Sequence, residues 1–293
     1  MTTTAIPGRE HDLGHGLTVL RSLPARTCRS IGPFVFFDHA GPVVMDAVAG
    51  RAADVRPHPH IGLSTVSYLM SGAVRHRDNL GYDQVIHPGD INWMTAGRGI
   101  VHSERFDVAG AFAGNGLELL QSWVALPVAD EERAPSFSHH ASNDLPVAED
   151  GGAWLRVLAG EAFGLRSPVA VHSPTFYVHA ELKAGTHIEA PADYSERAAY
   201  VVHGRVRDEA DGVEYGPRQL LALGAGAATL RASEDATVML LGGEPLGPRF
   251  IWWNLVSSRK QRIREAAEDW KAGRFKLPTS DDQEFIPLPD KPI

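Results

Sequence analysis

Short apolar runs separated by turn residues constrain the fold of this chain more than any other feature of its sequence. From Ile61 to Trp123 these runs recur roughly every ten residues, with glycine or Asp-Asn between them. Runs this short are typical of strands, and their spacing is typical of an antiparallel sandwich or barrel. Similar runs continue from Trp154 to Leu241. We therefore predict an all-β fold in both halves of the chain.

The two halves also repeat one another. Such a repeat predicts two copies of one structural unit, which we place at residues 1–135 and 136–250, followed by a helix and a proline-rich tail at 251–293. Shifting the second half back by 132 positions superimposes strand and turn residues: Tyr200 on Tyr68, Gly204 on Gly72, Val206 on Val74 and Arg207 on Arg75.

Two pairs of potential metal ligands stand at the ends of the stretch 56–104. They are His58 with His60, and His102 with Glu104. Residues i and i+2 of a strand project to the same face, so each pair can point into one barrel interior. Neutral imidazoles and a carboxylate suit Fe(II), Ni, Mn, Cu or Zn, and four protein donors leave two open positions on an octahedral ion. We predict one mononuclear metal site at these four residues.

The second copy lacks these side chains. The shift places Ala190–Ala192 on the first pair, and a shift three residues shorter places Arg231 on His102 and Ser233 on Glu104. Strand and turn residues persist while the ligands are replaced, which predicts metal binding in the first copy only. His187 and Glu189 lie near the emptied positions and leave a degenerate second site as an alternative.

Other histidines receive different interpretations. His76 lies among charged residues at a strand end and is predicted to be exposed. His87 precedes Pro-Gly-Asp and is read as a turn residue, with a supporting role beside a ligand left open. His39 is read as a loop residue, and the pair His139–His140 as a solvated loop.

The segment from Asn254 to Gly273 predicts a helix. Ser257 or Ser258 is the expected N-cap, and glycine ends the helix. The tail that follows, Phe275–Ile293, carries four prolines and is expected to lie extended on the surface. Apolar side chains recur at helical spacing at Ile263, Ala266, Ala267 and Trp270.

Charge and cysteine content exclude several classes of protein. A net charge of −8 disfavours binding to nucleic acid, which requires a basic face. Cys28 is the single cysteine, so there is no disulfide framework and no thiolate metal site. The sequence shows neither a secretory leader nor an apolar run long enough to span a membrane, and we expect a cytoplasmic protein.

Four sequence motifs together point to a known family. They are 56–66 (RPHPHIGLSTV), 76–81 (HRDNLG), 88–104 (PGDINWMTAGRGIVHSE) and 252–258 (WWNLVSS). With these motifs the chain resembles the pirin family of the cupin superfamily over most of its length. The resemblance implies two cupin-type antiparallel β-barrels, with a metal in the N-terminal one at the positions of His58, His60, His102 and Glu104. Pirin-like proteins usually carry Arg-Gly-Phe-Glu after the His-Pro-His motif, whereas this chain has Ile61–Ser64 there.

The resemblance implies two alternative functions. The first is a quercetin 2,3-dioxygenase, in which a divalent metal, Fe(II) before Ni, Mn, Cu or Zn, binds a small flavonol-like aromatic substrate with dioxygen. Glu104 would then be the catalytic base that takes the flavonol proton. The second is a non-enzymatic, metal-containing regulator that binds a transcription factor or a metabolic enzyme.

Overall fold

The computed structural model of the chain describes residues 3–112 and 114–293. Their first half contains one short α-helix, α1 (Ala47–Ala52), and two 3-10 turns, Val128–Asp130 and Ser142–Asp144. Its strands are β1 (Thr4–Ile6), β2 (Arg9–Asp12), β3 (Thr18–Leu23), β4 (Phe34–Val43), β5 (Val55–His60), β6 (Leu63–Ser71), β7 (Val74–Asp78), β8 (Asp83–Ile86), β9 (Ile91–Thr95), β10 (Ile100–Arg105), β11 (Leu117–Ala125) and β12 (Ser136–His140).

The second half is also built from strands and ends in helix α2 (Lys260–Lys271). The strands are β13 (Val147–Asp150), β14 (Ala153–Ala162), β15 (Leu165–Arg166), β16 (Thr175–Leu182), β17 (His187–Glu189), β18 (Glu196–His203), β19 (Val206–Asp208), β20 (Glu214–Tyr215), β21 (Gln219–Leu223), β22 (Thr229–Ala232), β23 (Ala236–Gly243), β24 (Phe250–Trp252) and β25 (Leu255–Ser257).

The sheets confirm the all-β class and the repeat. The larger sheets have the orders β12-β9-β6-β11-β4-β3-β2 and β1-β21-β18-β23-β16-β14-β13, with β15 on β14. The smaller sheets have the orders β5-β10-β7-β8 and β17-β22-β19-β20, so both run first, fourth, second, third in chain order. These pairings are antiparallel, and the shared order identifies two copies of one cupin-type topology.

The chain forms two compact units. The first takes in residues 11–19, 39–142 and 247–293, and the second takes in residues 1–10, 20–38 and 143–246. The domain boundaries after residues 135 and 250 stay predictions. No helix among the described residues is both long enough and apolar enough to cross a membrane.

Equivalent turns in the two units use glycine for the same reason. Tyr68 in β6 and Tyr200 in β18 are fully buried, and each strand ends in a turn with a glycine one residue beyond it. Gly72 has φ 85° and Gly204 has φ 73°. Glycine adopts this left-handed conformation without steric cost, which explains why the turn residues persist in both copies.

An apolar core fills the second unit where the first carries the predicted ligands. Ile188 of β17 and Leu230 and Ala232 of β22 belong to that core, while His187 and Glu189 beside Ile188 are exposed. Arg231 is exposed between two buried neighbours, so its alignment with His102 was out of phase with the strand. The exposed pair on β17 gives no support to a degenerate second site.

Helix α2 buries the four apolar side chains that its periodicity predicted. Its predicted cap is wrong, because Arg259 is the N-cap and makes no side-chain cap bond. Ser257 and Ser258 instead donate their hydroxyls to the buried carboxylate of Glu131, at 2.9 and 3.1 Å. Gly273, at φ 68°, follows the end of the helix as predicted.

Candidate metal centre

Antiparallel pairing of β5 with β10 brings three of the predicted ligands together. His102 lies opposite His58, and Ile100 lies opposite His60. The ring centroids of His58 and His102 are 4.5 Å apart, and each is 5.0 Å from the centroid of His60. One donor nitrogen from each of the three rings lies within 4.8 Å of the others. Three converging imidazoles of this kind form a candidate site for one metal ion.

Backbone carbonyls fix the proton positions of two of these rings. Nδ1 of His58 is 2.9 Å from the carbonyl oxygen of Arg56, and Nδ1 of His60 is 2.9 Å from that of Asn254. A carbonyl oxygen only accepts, so each ring donates through Nδ1–H and keeps a lone pair on Nε2. The Nε2 atom of His102 is buried and has no hydrogen-bond partner among residues 3–112 and 114–293. A metal ion would satisfy that atom.

Burial keeps the three rings uncharged. It lowers the pKa of His58 to about 4, outweighing the hydrogen bond to the Arg56 carbonyl. It also lowers the pKa values of His60 and His102, and the neighbouring imidazoles lower them further. Neutral imidazole is the form that binds a metal, so the site is ready for an ion at neutral pH.

Glu104 does not belong to the group of three close donors. The pairing of β10 with β5 shifts by one residue between His102 and Glu104, because β5 carries an extra residue there, whereas β10 itself pairs regularly with β7 through Glu104. Glu104 is half-buried, and burial raises the pKa of its carboxyl to about 7. Its role as ligand and base stays a prediction.

The prediction that His76 is exposed is wrong. Val74, His76 and Asp78 occupy the buried face of β7, while Arg75 and Arg77 alternate with them on the other face. The charged neighbours suggested an exposed segment, but the period of two places His76 inside. Its ring centroid is 5.2 Å from that of His102. This residue is the part of the site that our sequence analysis missed.

The remaining histidines lie apart from the three-histidine group. His39 is fully buried in β4 and pairs with Glu118 at 3.0 Å, so it is not a loop residue. His139 and His140 belong to strand β12 rather than to a solvated loop. His87 is exposed and begins a turn, in which the amide of Asp90 donates to its carbonyl oxygen, as predicted. Its exposure gives no support to a role beside the ligands.

A cavity of about 540 Å³ reaches the site at His58. The C-terminal tail contributes to its wall, because the amide of Ile286 donates to the carbonyl oxygen of Pro57 at 2.9 Å. The tail is therefore docked by specific bonds and does not simply lie along the surface. The cavity combines apolar side chains with charged side chains of both signs, among them Leu13, Trp253, Arg51, Asp54 and Glu284.

An ion-paired cluster holds the tail against the outer face of β10. Asp281 accepts hydrogen bonds from Nε and Nη2 of Arg105, at 2.7 and 2.6 Å, and another from the hydroxyl of Ser103. Arg105 is buried and also pairs with Asp54 and Glu284. These bonds place the tail on the side of the strand opposite His102.

Comparison with known proteins places these observations in a family. The pirin family model matches residues 16–124, and the model for the pirin C-terminal cupin domain matches residues 177–276. A pirin-like protein of Caulobacter vibrioides is 51% identical over 292 residues, covering 99% of this chain and 100% of that protein.

Solved structures show the same fold. A crystal structure titled quercetin 2,3-dioxygenase from Acinetobacter baumannii is 33% identical, has a TM-score of 0.88, and covers 99% of this chain and 96% of its own. The Escherichia coli pirin YhhW, solved in complex with nickel(II), is 19% identical with a TM-score of 0.65, over 83% of this chain and 100% of its own. Both halves of the chain and nearly its full length match, and the chain belongs to the pirin family.

Proposed function

We propose that this protein is a metal-dependent dioxygenase of the quercetinase type, with one divalent transition metal held by His58, His60 and His102, and Glu104 as a fourth ligand. The observation that carries the proposal is the convergence of three neutral imidazoles, one of them with an orphaned Nε2, beside a cavity of about 540 Å³. The likeness to the Acinetobacter baumannii dioxygenase over nearly the whole chain supports the substrate class, a flavonol with dioxygen.

A bound metal would supply a Lewis acid that favours the deprotonated flavonol hydroxyl. The three imidazoles would bind the metal as neutral ligands. With Glu104 ionised, the protein therefore contributes one negative charge to the site. The raised pKa of Glu104 suits a carboxyl that accepts a proton near neutral pH. We assign Glu104 to the transfer of the flavonol proton.

Burial of the ligands limits access to one side. His60 and His102 are nearly inaccessible, and His58 alone of the three borders the cavity. A planar substrate would therefore approach past His58, along walls that carry apolar side chains such as Trp253 and Ile286 as well as charged ones. The ligand set accommodates Fe(II), which we favour, and equally Ni, Mn, Cu or Zn, so loading with each metal belongs in the test.

The proposal is tested by incubating quercetin with protein loaded separately with Fe(II), Ni(II), Mn(II), Cu(II) and Zn(II). We expect aerobic loss of flavonol absorbance with release of carbon monoxide, and no reaction under argon. His102→Ala should abolish turnover, while His187→Ala, which removes an exposed strand histidine of the second unit, should leave it unchanged. Metal binding without turnover for every metal would contradict the enzymatic proposal and favour a regulatory protein.

A further inference from the structure

The three candidate ligands differ in what fixes their protons. His58 and His60 each donate Nδ1–H to a backbone carbonyl, and no side-chain substitution changes that acceptor. His102 has no such carbonyl. Its Nδ1 instead lies 3.4 Å from Nδ1 of His76. An imidazole nitrogen can donate or accept, so the tautomer of His102 depends on the tautomer of its neighbour.

Asp78 settles the tautomer of His76. Its Oδ2 lies 2.9 Å from Nε2 of His76, and its Oδ1 accepts from the amides of Leu80 and Tyr82 at 2.9 and 3.1 Å. Carboxylate oxygens accept hydrogen bonds, so His76 donates through Nε2–H. In the tautomer protonated at Nε2, Nδ1 carries only a lone pair, which accepts the proton of His102.

The ring of His76 is held in the orientation that this chain of bonds requires. Phe137 stacks on it, with centroids 4.4 Å apart and an interplanar angle of 12°. His76, Asp78 and His102 are 5%, 1% and 1% exposed, so water does not compete for their bonds. At the far end, Nε2 of His102 is buried, and no group in the described part of the chain forms a hydrogen bond with it.

We propose that His76 and Asp78 are positioning residues that fix His102 as the Nδ1–H tautomer and so present its Nε2 lone pair to the metal. The inference rests on the proposed metal centre. Partners of this kind orient metal-bound histidines and increase their basicity. In this chain the partner is a second histidine, which is anchored by a carboxylate. A substitution at that carboxylate, outside the ligand set, can therefore weaken metal binding by His102.

Asp78→Asn should reverse the donor and acceptor roles in the hydrogen bonds from residue 78 through His76 to His102, while the side chains keep their positions. The carbonyl oxygen of the introduced side-chain amide would keep the bonds from the backbone amides of Leu80 and Tyr82, because the opposite flip would set the NH2 group against two other donors. The NH2 group would then donate to Nε2 of His76. His76 would carry its proton on Nδ1 and donate to His102, whose own proton would move to Nε2 and block the metal.

Asp208→Asn is the matched control. Asp208 is also buried, ends a strand as Asp78 does, and accepts from the amide two residues ahead, that of Ala210, at 2.8 Å. It lies in the second unit, whose corresponding interior is apolar. Both substitutions replace a buried carboxylate that accepts from turn amides, but only one alters the proposed ligand.

The test measures Ni(II) affinity by calorimetry on the full-length protein and the tautomer of His102 by 15N NMR on the metal-free protein. We expect Asp78→Asn to weaken Ni(II) binding about 10- to 100-fold and Asp208→Asn to leave it unchanged. Wild-type His102 should carry its proton on Nδ1, and Asp78→Asn should move it to Nε2.

Two results would overturn the inference: wild-type His102 protonated on Nε2, or a folded Asp78→Asn protein that binds Ni(II) as tightly as wild type. The wild-type NMR spectrum decides the matter even if the variant does not fold. Failure of the wild type itself to bind Ni(II), Fe(II) or Mn(II) would instead contradict the proposed metal centre, and the tautomer measurement keeps the two failures distinct.

Discussion

Replacing Glu104 by glutamine should stabilise the metal-free protein at high pH. Burial raises the pKa of this carboxyl from 4.5 to about 7, so the native state binds its proton more tightly than the unfolded state does. Between these two values the unfolded chain ionises first, and the stability of the native state falls as the pH rises. Glutamine has no such ionisation and avoids the penalty.

The size of the effect follows from the two pKa values. A gap from 4.5 to about 7 corresponds to about 3 kcal/mol when fully developed, at about 1.4 kcal/mol per pH unit. The range from pH 5 to pH 8 covers most of that gap, and we reduce the figure because Glu104 is only half-buried. We therefore expect the stability of Glu104→Gln relative to wild type to improve by about 2 kcal/mol from pH 5 to pH 8.

Urea unfolding in the presence of a chelator measures this difference. Wild type and variant are compared at each pH, so groups that titrate alike in both proteins cancel. If the difference in free energy of unfolding between variant and wild type stays constant from pH 5 to pH 8, or changes in favour of wild type, the claim that burial raises the pKa of Glu104 is refuted. Saturating metal should reverse the order, because the ion would then stabilise the carboxylate of the wild type.

Further predictions concern the ligand strands. Asp281→Asn should destabilise the protein by about 2 kcal/mol, since it weakens the bonds to Arg105 and Ser103, as measured by urea unfolding. Burial would raise the pKa of Asp281, but the bonds to Arg105 and Ser103 outweigh burial and lower it. The loss of stability in the variant should therefore be complete above about pH 4 and become smaller below that pH. Gly62→Ala should cost at least about 2 kcal/mol in thermal or urea unfolding, because φ is 69° and a Cβ would collide with the carbonyl oxygen of Val256.

Local patterns predicted the fold well. Strand-length apolar runs and a repeat identified two all-β copies, because these signals depend on neighbouring residues. The same period of two could have placed His76 on the buried face with Val74 and Asp78, had its arginine neighbours not been given more weight. Strict alternation of buried and exposed residues along this strand therefore predicts a buried His76.

Long-range bonds left no signal in the sequence. The carbonyl that orients His60 belongs to Asn254, which is 194 residues away. Such an acceptor is a backbone group, so no side chain marks it. The one-residue shift beside Glu104 is likewise a property of two paired strands, and an ideal strand model cannot include it.

A crystal of the metal-loaded protein, measured at the absorption edge of the bound metal, tests the central claim most directly. We predict one anomalous peak in contact with the Nε2 atoms of His58, His60 and His102, at the roughly 2.0–2.1 Å typical of imidazole–metal bonds. A peak bound through Nδ1, a peak elsewhere in the chain, or no peak in protein saturated with metal would contradict the account.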